Sequence, residues 1–440
     1  HNILKSYGGT LMKKVFSIVL ALVMALSVFS VMTLAEDPDF SYVVVSEEDK
    51  TCKITGAKEG TVDLVIPAEI DGYKVVAIDN RAFWSNPEIE SVQIADTVET
   101  IGQLVFTKTA FYKNDANWED GVLYIDNFVI VAKNTLEGEY AIKDGTTVMA
   151  DGAFRDCKKL TKITIPEGMK AISLLAFRDC AALAEVVIPT SVKSIGGYAF
   201  LHCTELKTVV LPEGLEEIDL FAFNGSGLTE VTIPASVNTI EEYVFCHCED
   251  LAAINVAEEN ENYSSLSGIL YNKDQTTIIY APYKVDYSAV EFPETVTTIG
   301  KGAFEGATFE EIEIPENITT IEKAAFEGCE NLKKVKIPET VTEIGEGAFA
   351  GCHEEFYIDA PVGSYAYGYA QENDLLPDVI PGDVNEDGKV SALDARWILQ
   401  YVAGSRAFTA RQVEAADLSG DGKVSAIDAR GVLQLAAKAD

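Results

Sequence analysis

The stretch Leu160–Cys180, LTKITIPEGMKAISLLAFRDC, indicates the fold because its pattern recurs along the chain. A short alternating apolar run ends at Pro166, and the pair Ala176-Phe177 follows, with Cys180 three residues later. The equivalent phenylalanines recur every 22 or 23 residues in two runs: Phe154, Phe177, Phe200 and Phe223, then Phe304, Phe326 and Phe349. A fixed period in the twenties, with one short strand per period, predicts a solenoid of stacked repeats.

The composition limits the possible functions. The 440 residues include 34 Lys+Arg and 70 Asp+Glu, which gives a formal net charge of −36. Nucleic-acid binding is disfavoured because no basic stripe is present to displace phosphate counterions, and anionic membrane surfaces are disfavoured for the same reason. At 48% hydrophobic residues, most of the chain is expected to fold. The length allows two or three ordinary domains, or one solenoid with an added module.

Residues 12–35 have the features of a secretory signal peptide. Met12-Lys13-Lys14 precedes the apolar run Val15–Val31, and the small residue Ala35 precedes an acidic segment. We expect cleavage after Ala35, so that residues 1–11 are upstream sequence absent from the mature protein. The alternative is an uncleaved membrane anchor, since the run approaches the ~18 residues that span a bilayer. The expected product is a secreted, extracellular protein that does not insert into the membrane.

The solenoid with its caps is expected to occupy residues 36–376. Phe40–Gly60 contains two alternating runs suited to an opening cap, which covers the exposed face of the first repeat. His353–Leu376, with a helical pattern over Tyr365–Asn373, is suited to a closing cap. Eight prolines directly follow the last apolar residue of a repeat strand, where a residue without an N–H ends the ladder of hydrogen bonds.

Two gaps interrupt the period, from Phe106 to Phe154 and from Phe245 to Phe304. Each gap contains two β-type runs around an Asn/Asp turn, one starting at Gly121 and the other at Gly268. Such phrases are typical of β-hairpins. We interpret both gaps as longer variant repeats and not as separate domains.

The repeat L-x-x-I-x-I-P…I…A-F-x-x-C resembles the BspA-like bacterial leucine-rich repeat over about residues 40–376. The resemblance is specific because the pattern recurs about ten times, although it lacks the asparagine ladder of commoner leucine-rich repeats. It implies a mainly β solenoid that serves adhesion or protein binding. It does not imply an enzyme.

The cysteine slot lies three residues after the repeat phenylalanine. Ser226 and Ala307 occupy the same slot in other repeats, which indicates a small packing position. We expect buried thiols, with disulfides between neighbouring repeats as the alternative in an exported protein. The fragment Cys246-His247-Cys248 suggests a metal site, but its residues fall in repeat slots, and we favour a structural role. The cysteines of this slot are Cys157, Cys180, Cys203, Cys248, Cys329 and Cys352.

Two twelve-residue loops near the C-terminus have the ligand spacing of a calcium site. The first is DVNEDGKVSALD at Asp383–Asp394, and DLSGDGKVSAID follows 34 residues later at Asp417–Asp428. Oxygen-bearing groups occupy positions 1, 3, 5, 7 and 9, and a carboxylate occupies position 12. No helical pattern precedes either loop, but one follows each, over Ala395–Val402 and Ala429–Ala436.

This duplicated loop-helix resembles a type I dockerin over residues 382–440, after a linker at 377–381. The resemblance implies two bound Ca²⁺ ions and docking onto a cohesin domain of a scaffoldin. Ser419 departs from the usual Asn or Asp, which puts the strength of the second site in doubt. Carried over by position, the metal ligands would be Asp383, Asn385, Asp387, Lys389 (carbonyl), Ser391, Asp394, Asp417, Ser419, Asp421, Lys423 (carbonyl), Ser425 and Asp428. The cohesin-contacting positions would be Ala392, Leu393, Leu399, Gln400, Ala426, Ile427, Leu433 and Gln434.

The predicted fold class is therefore a mainly β leucine-rich-repeat solenoid followed by a small all-α calcium-binding dockerin. The leading functional hypothesis is a non-catalytic binding or adhesion protein attached to a cell-surface cellulosome, which acts in polysaccharide catabolism. Its solenoid would bind an unidentified protein or cell-wall ligand. A structural spacer is one alternative. A hydrolase acting on polysaccharide is the other, but the histidines after residue 35 lie in repeat slots and no nucleophile elbow or zinc-protease motif is present.

Overall fold

The protein is described by a computed structural model of residues 39–285, 287, 290, 292–361 and 363–439. The predicted signal peptide at 12–35 lies outside the described residues. The chain divides into two compact units, one within His1–Ala181 and Val187–Ala199, the other within Ala182–Val186 and Phe200–Asp440. Among the described residues, no helix has the length and apolar character needed to cross a bilayer.

The first unit consists of short strands, most of them paired in parallel with the next coil. β1 and β2, the two strands expected within Phe40–Gly60, pair antiparallel with each other, and β9 pairs antiparallel with β10 as the predicted hairpin of the first gap. Its helices are α1 (Ala110–Lys113) and a 3-10 turn at Asp115–Asn117. Its strands are β1 (Phe40–Ser46), β2 (Thr51–Ala57), β3 (Asp63–Ile66), β4 (Glu69–Ile70), β5 (Tyr73–Ile78), β6 (Ser91–Ile94), β7 (Thr100–Ile101), β8 (Trp118–Glu119), β9 (Val122–Ile125), β10 (Phe128–Ala132), β11 (Glu137–Ala141), β12 (Val148–Met149), β13 (Lys159–Thr164), β14 (Ala171–Ile172), β15 (Glu185–Val187), whose residues are divided between both units, and β16 (Ser194–Ile195).

The second unit continues the coils and ends in helices. β21, β22 and β23 are antiparallel neighbours, which confirms the predicted hairpin of the second gap. Its strands are β17 (Glu217–Ile218), β18 (Glu230–Ile233), β19 (Thr239–Ile240), β20 (Ala253–Val256), β21 (Tyr263–Leu266), β22 (Ile269–Asn272), β23 (Thr277–Tyr280), β24 (Thr298–Ile299), β25 (Glu311–Glu313), β26 (Thr320–Ile321), β27 (Lys334–Lys336), β28 (Glu343–Ile344) and β29 (Tyr357–Asp359). Its helices are α2 (Tyr365–Glu372), α3 (Ala392–Val402), α4 (Ala410–Ala416) and α5 (Ala426–Ala439).

Several regular coils of the second unit carry two short strands, so the expectation of one strand per period was wrong there. β25, β27 and β29 form one parallel sheet, and β24, β26 and β28 belong to another. In the second sheet, Ile299, Ile321 and Ile344 are aligned from coil to coil. These isoleucines are buried, and only two residues at each position are extended enough to pair. The sequence pattern showed their apolar character but not this second ladder.

A ladder of stacked phenylalanine rings runs through the core of the coils. The ring centroids of Phe304 and Phe326 are 5.0 Å apart, and those of Phe326 and Phe349 are 5.3 Å apart, with nearly parallel planes. In the second gap, Tyr280 takes a place in this ladder, with its ring 6.1 Å from that of Phe245. The spacing matches the ~5 Å separation of hydrogen-bonded strands. Backbone pairing and ring stacking therefore share one repeat distance.

The cysteine slot has a polar function that the sequence did not show. All eight cysteines lie among the described residues and are present as thiols. The Sγ atoms of Cys248 and Cys329 each donate to the carbonyl of the repeat phenylalanine one coil earlier, both at 3.1 Å. Ser226 in the same slot has its hydroxyl 3.3 Å from the thiol of Cys248. The slot therefore holds a small side chain, and where that side chain is cysteine it can donate a hydrogen bond to the preceding coil.

Replacing Phe326 with alanine should destabilise the solenoid by about 3–5 kcal/mol, because the ring is buried between two stacked neighbours. The measurement is the thermal unfolding midpoint in calcium by calorimetry. Glu330→Ala, at an exposed position of the same coil, should leave the midpoint nearly unchanged. Equal shifts in both variants would contradict a role of the ring ladder in stability.

The buried thiols should be unreactive towards a disulfide reagent in the native protein at pH 8. Burial raises the pKa of Cys157 and Cys352 to about 12 and that of Cys248 to about 11. The native state thus retains protons that the unfolded state loses above about pH 9, so stability falls as pH rises from there through the folded pKa values. Thiol counting at pH 8, before and after denaturation, tests this, and rapid native labelling of several cysteines would contradict it.

Candidate functional site: the paired acidic loops and their helices

The C-terminal helices enclose a small core of their own. α3 packs against α5, and Val384, Ile398 and Val432 are fully buried between the helices and the first acidic loop. The alanines of α3, α4 and α5 that face this core allow the helices to approach closely. The core fixes the position of both acidic loops, because each loop leads directly into α3 or α5.

The first acidic loop, Asp383–Asp394, is held in a wrapped conformation by its own carboxylates. Asp394 is fully buried, and its Oδ1 accepts from the N–H groups of Val384 and Asn385, both at 2.9 Å. Its Oδ2 accepts from the Ser391 N–H and hydroxyl at 2.9 and 2.8 Å. Asp383 Oδ2 accepts from the Gly388 N–H at 2.8 Å. The side chains at positions 1 and 12 therefore close the loop from both ends.

The second acidic loop, Asp417–Asp428, repeats these contacts. Asp428 Oδ1 accepts from the Ser419 N–H at 2.9 Å, and its Oδ2 accepts from the Ser425 N–H and hydroxyl at 2.8 and 2.9 Å. Asp417 Oδ2 accepts from the Gly422 N–H at 2.7 Å. The duplicated sequence therefore gives two loops with corresponding hydrogen bonds.

The helices near the loops differ from the prediction in two ways. A helix, α4, ends directly before the second loop, with Asp417 as its C-cap, so the expectation that no helix precedes either loop was wrong there. Its N-terminus is fixed by a capping box of Thr409 and Gln412, a short-range signal that the sequence analysis passed over. The following helices also begin three residues earlier than predicted, at Ala392 and Ala426, because Ser391 and Ser425 hydrogen-bond the first turns.

The donor set of both loops fits a calcium ion. Calcium prefers six to eight oxygen ligands, and each loop offers carboxylate, hydroxyl and main-chain oxygens at alternate positions. Backbone φ angles of +81° at Gly388 and +79° at Gly422 provide the same sharp turn in each loop. Within the described ranges, no group of three or more His, Cys, Asp or Glu side chains has the arrangement of a metal site.

The carboxylates of the loops differ in their proton affinity. Partial burial raises the pKa of Asp383, although hydrogen bonds from the Gly388 and Asp387 N–H groups oppose this. At Asp428 burial acts in the same direction, but hydrogen bonds from Ser419 and Ser425 outweigh it and lower the pKa. Because calcium requires ionised carboxylates, protons would compete with a calcium ion bound at either loop.

The eight predicted partner-contacting residues lie at or near the surface of α3 and α5. Leu393, Leu399 and Leu433 are nearly half exposed, and Ile427 is 70% exposed. Val402 and Leu435 add exposed apolar area that the resemblance did not include. Apolar side chains grouped on a helix surface are typical of a protein interaction site.

The two helices are not equivalent at the glutamine of the partner-contacting set. Gln400 Oε1 accepts from Arg406 Nε at 3.1 Å, and the Arg406 guanidinium lies 3.6 Å from the ring centre of Trp397. Gln434, its counterpart on α5, is exposed. Neither Trp397 nor Arg406 was singled out from the sequence, because the pairing depends on the turn that follows α3.

The histidine fragment of the solenoid is built into the coils. Cys246 and Cys248 are buried, and burial raises the pKa of both thiols. His247 Nε2 lies 3.5 Å from Glu305 Oε1. The two cysteines point into the core while the histidine lies largely exposed, which agrees with a structural role.

Comparison with known families gives two matches. The family described as "BspA type Leucine rich repeat region" matches in six copies over residues 76–172, 133–252 and 279–367. This chain belongs to that family. The "Dockerin type I domain" matches residues 381–434, which include both acidic loops. Both families are non-catalytic binding modules, and type I dockerins bind calcium and cohesin domains.

Solved structures of bacterial leucine-rich-repeat proteins are similar to parts of this chain. A leucine-rich repeat protein from Eubacterium ventriosum is 20% identical, covering 76% of this chain and 72% of that chain, with a TM-score of 0.45. A leucine rich cell surface protein from Faecalibacterium prausnitzii is 22% identical, covering 80% and 99%, with a TM-score of 0.35. A leucine-rich repeat protein from Bacteroides ovatus is 20% identical, covering 74% of this chain and 94% of that chain, with a TM-score of 0.35. No curated protein matches the chain.

Each acidic loop should bind one calcium ion, and Asp394→Ala or Asp428→Ala should each remove one of the two equivalents. The carboxylate at position 12 is the buried residue on which each loop closes. Isothermal titration calorimetry of the wild type and both single variants measures the stoichiometry, and each variant serves as the control for the other loop. Two equivalents in both variants would contradict the assignment.

Proposed function

We propose that this chain is a secreted, non-catalytic binding protein that attaches through its C-terminal module to a cohesin domain of a cellulosomal scaffoldin. The observation that carries the proposal is the pair of corresponding acidic loops, each leading into a helix with exposed apolar residues. The match to the type I dockerin supports a cohesin as the partner. The ions would be held by the twelve ligand residues named from the sequence.

The solenoid would supply the second binding activity, for a protein or a cell-wall ligand. Its exposed strand positions in the second unit vary from Glu230 and Thr232 to Glu311 and Lys336, so no single charge or apolar stripe defines the ligand. Membership of a leucine-rich-repeat family supports protein binding. The spacer alternative predicts that the solenoid captures nothing, which is directly measurable.

The attachment should depend on calcium and on the exposed helix residues. We expect the immobilised chain to capture a cohesin-containing protein from native culture extract in calcium and to release it on chelation. The triple variant Leu393→Arg, Ile427→Arg and Leu433→Arg should reduce capture at least tenfold, because charge buried in the interface opposes docking through either helix. Mass spectrometry identifies the captured protein.

Val65→Arg, which alters an exposed apolar residue of the solenoid, is the matched control and should leave cohesin capture unchanged. Proteins retained after chelation would be candidate ligands of the solenoid. Capture that is insensitive to both calcium and the helix variants would contradict the proposed attachment.

A further inference from the structure

The two acidic loops have different residues at position 4, although most of their other positions match. The second loop has Gly420 there, with φ of +69°, and the first loop has Glu386 with φ of +59°. Left-handed backbone is unfavourable for a residue with a Cβ atom and is normally occupied by glycine. Glu386 thus occupies a conformation that its own side chain does not favour, so contacts elsewhere must compensate.

The Glu386 carboxylate leaves its loop and contacts the segment that closes the solenoid. Its Oε2 accepts from the hydroxyl of Tyr367 on α2 at 2.9 Å. Ser364 caps α2 by accepting from the Tyr367 N–H at 3.2 Å, which fixes the start of the helix. Residue 4 of the first acidic loop is therefore hydrogen-bonded to a buried side chain of the neighbouring segment.

Arg411 on α4 completes the contact. Its Nε lies 3.7 Å from Glu386 Oε2, and the side chains of Arg411 and Glu386 are only 18% and 15% exposed. The Arg411 guanidinium also donates to the carbonyl of Pro377 in the linker. One carboxylate of the first acidic loop thus connects α2, the linker and α4, all of which lie in the second unit.

The Glu386 carboxylate is hydrogen-bonded through only one of its two oxygen atoms. Glu386 Oε1 is buried with no hydrogen-bond partner among the described residues. A cavity of about 370 Å³ lies beside it, lined by Tyr357 and Asp359 of the solenoid and by Asp383 and Asp387 of the loop. A buried carboxylate oxygen without a donor is unfavourable, so this junction should open easily unless the loop holds Glu386 in place.

We propose that Glu386, Tyr367 and Arg411 are positioning residues that couple calcium binding in the first acidic loop to the closing helix α2. The proposal rests on calcium binding by that loop, which belongs to the proposed function. An ordered loop fixes the left-handed backbone that presents Glu386 to Tyr367. Because linkage is reciprocal, the contact in turn raises the calcium affinity of the first loop. The second loop, with Gly420, is outside this coupling and serves as an internal reference.

Hydrogen exchange of the full chain, followed across a calcium titration by mass spectrometry, tests the coupling in each loop separately. In the wild type, protection of residues 365–372 should rise with the same calcium midpoint as protection of the first loop. Tyr367→Phe keeps the ring and removes the hydroxyl, so it should move the first-loop midpoint to about tenfold higher calcium. The second-loop midpoint should stay within twofold of the wild type. Tyr365→Phe, at an exposed position of the same helix, should match the wild type.

Glu386→Gly is a second variant, and it introduces no backbone strain because glycine readily adopts the left-handed conformation of this position. It reproduces the residue of the second loop and removes the carboxylate, so protection of α2 should no longer respond to calcium. A first-loop midpoint within twofold of the wild type in Tyr367→Phe, or equal shifts of both loops, would overturn the coupling. Absence of any calcium response in the wild-type first loop would overturn both the coupling and its premise that this loop binds calcium. Cohesin capture tests the proposed function independently of the coupling.

Discussion

Stacking of one phenylalanine ring on the next is the interaction on which the coils depend. A single coil cannot bury its ring, because the apolar partner is the equivalent ring of a neighbouring coil about 5 Å away. The same distance suits the parallel ladders and the thiol-to-carbonyl hydrogen bonds. It also forces each coil to turn alike, so Phe221, Tyr243 and Ala324 adopt the left-handed conformation at equivalent positions. Side-chain identity can vary at these turns, but backbone conformation cannot.

Features that repeat could be predicted from the sequence, and features made once could not. The period, the proline positions, both hairpins and the two acidic loops could be predicted because each depends on residues that are close together in the sequence or that recur at a fixed spacing. The second strand found in several coils was missed because a two-residue strand has no alternation to detect. The contact of Tyr367 with Glu386 was missed because it joins two different segments across 19 positions, with no periodic signal. Helix α4 was missed although Thr409 and Gln412 formed a readable capping box.

The solenoid and the C-terminal module are stabilised by different physical terms. The coils bury a continuous apolar core, with each aromatic ring in contact with its neighbours. The C-terminal module has a core of few small side chains and buries the carboxylates of Asp394 and Asp428, which accept only local hydrogen bonds. A buried negative charge is costly unless an opposite charge compensates it. We expect a cation bound in each loop to supply that charge, so that calcium binding stabilises the folded module.

Limited trypsin digestion in calcium and in chelator, followed by intact-mass analysis, tests most directly whether calcium stabilises the C-terminal module but not the coils. The C-terminal module contains seven basic residues at which trypsin can cleave: Lys389, Arg396, Arg406, Arg411, Lys423, Arg430 and Lys438. We expect calcium to protect these sites and chelation to expose them, while the coils survive as one large fragment ending near Lys389. Equal resistance of the module with and without calcium, or digestion of the coils at the same rate as the module in chelator, would contradict it.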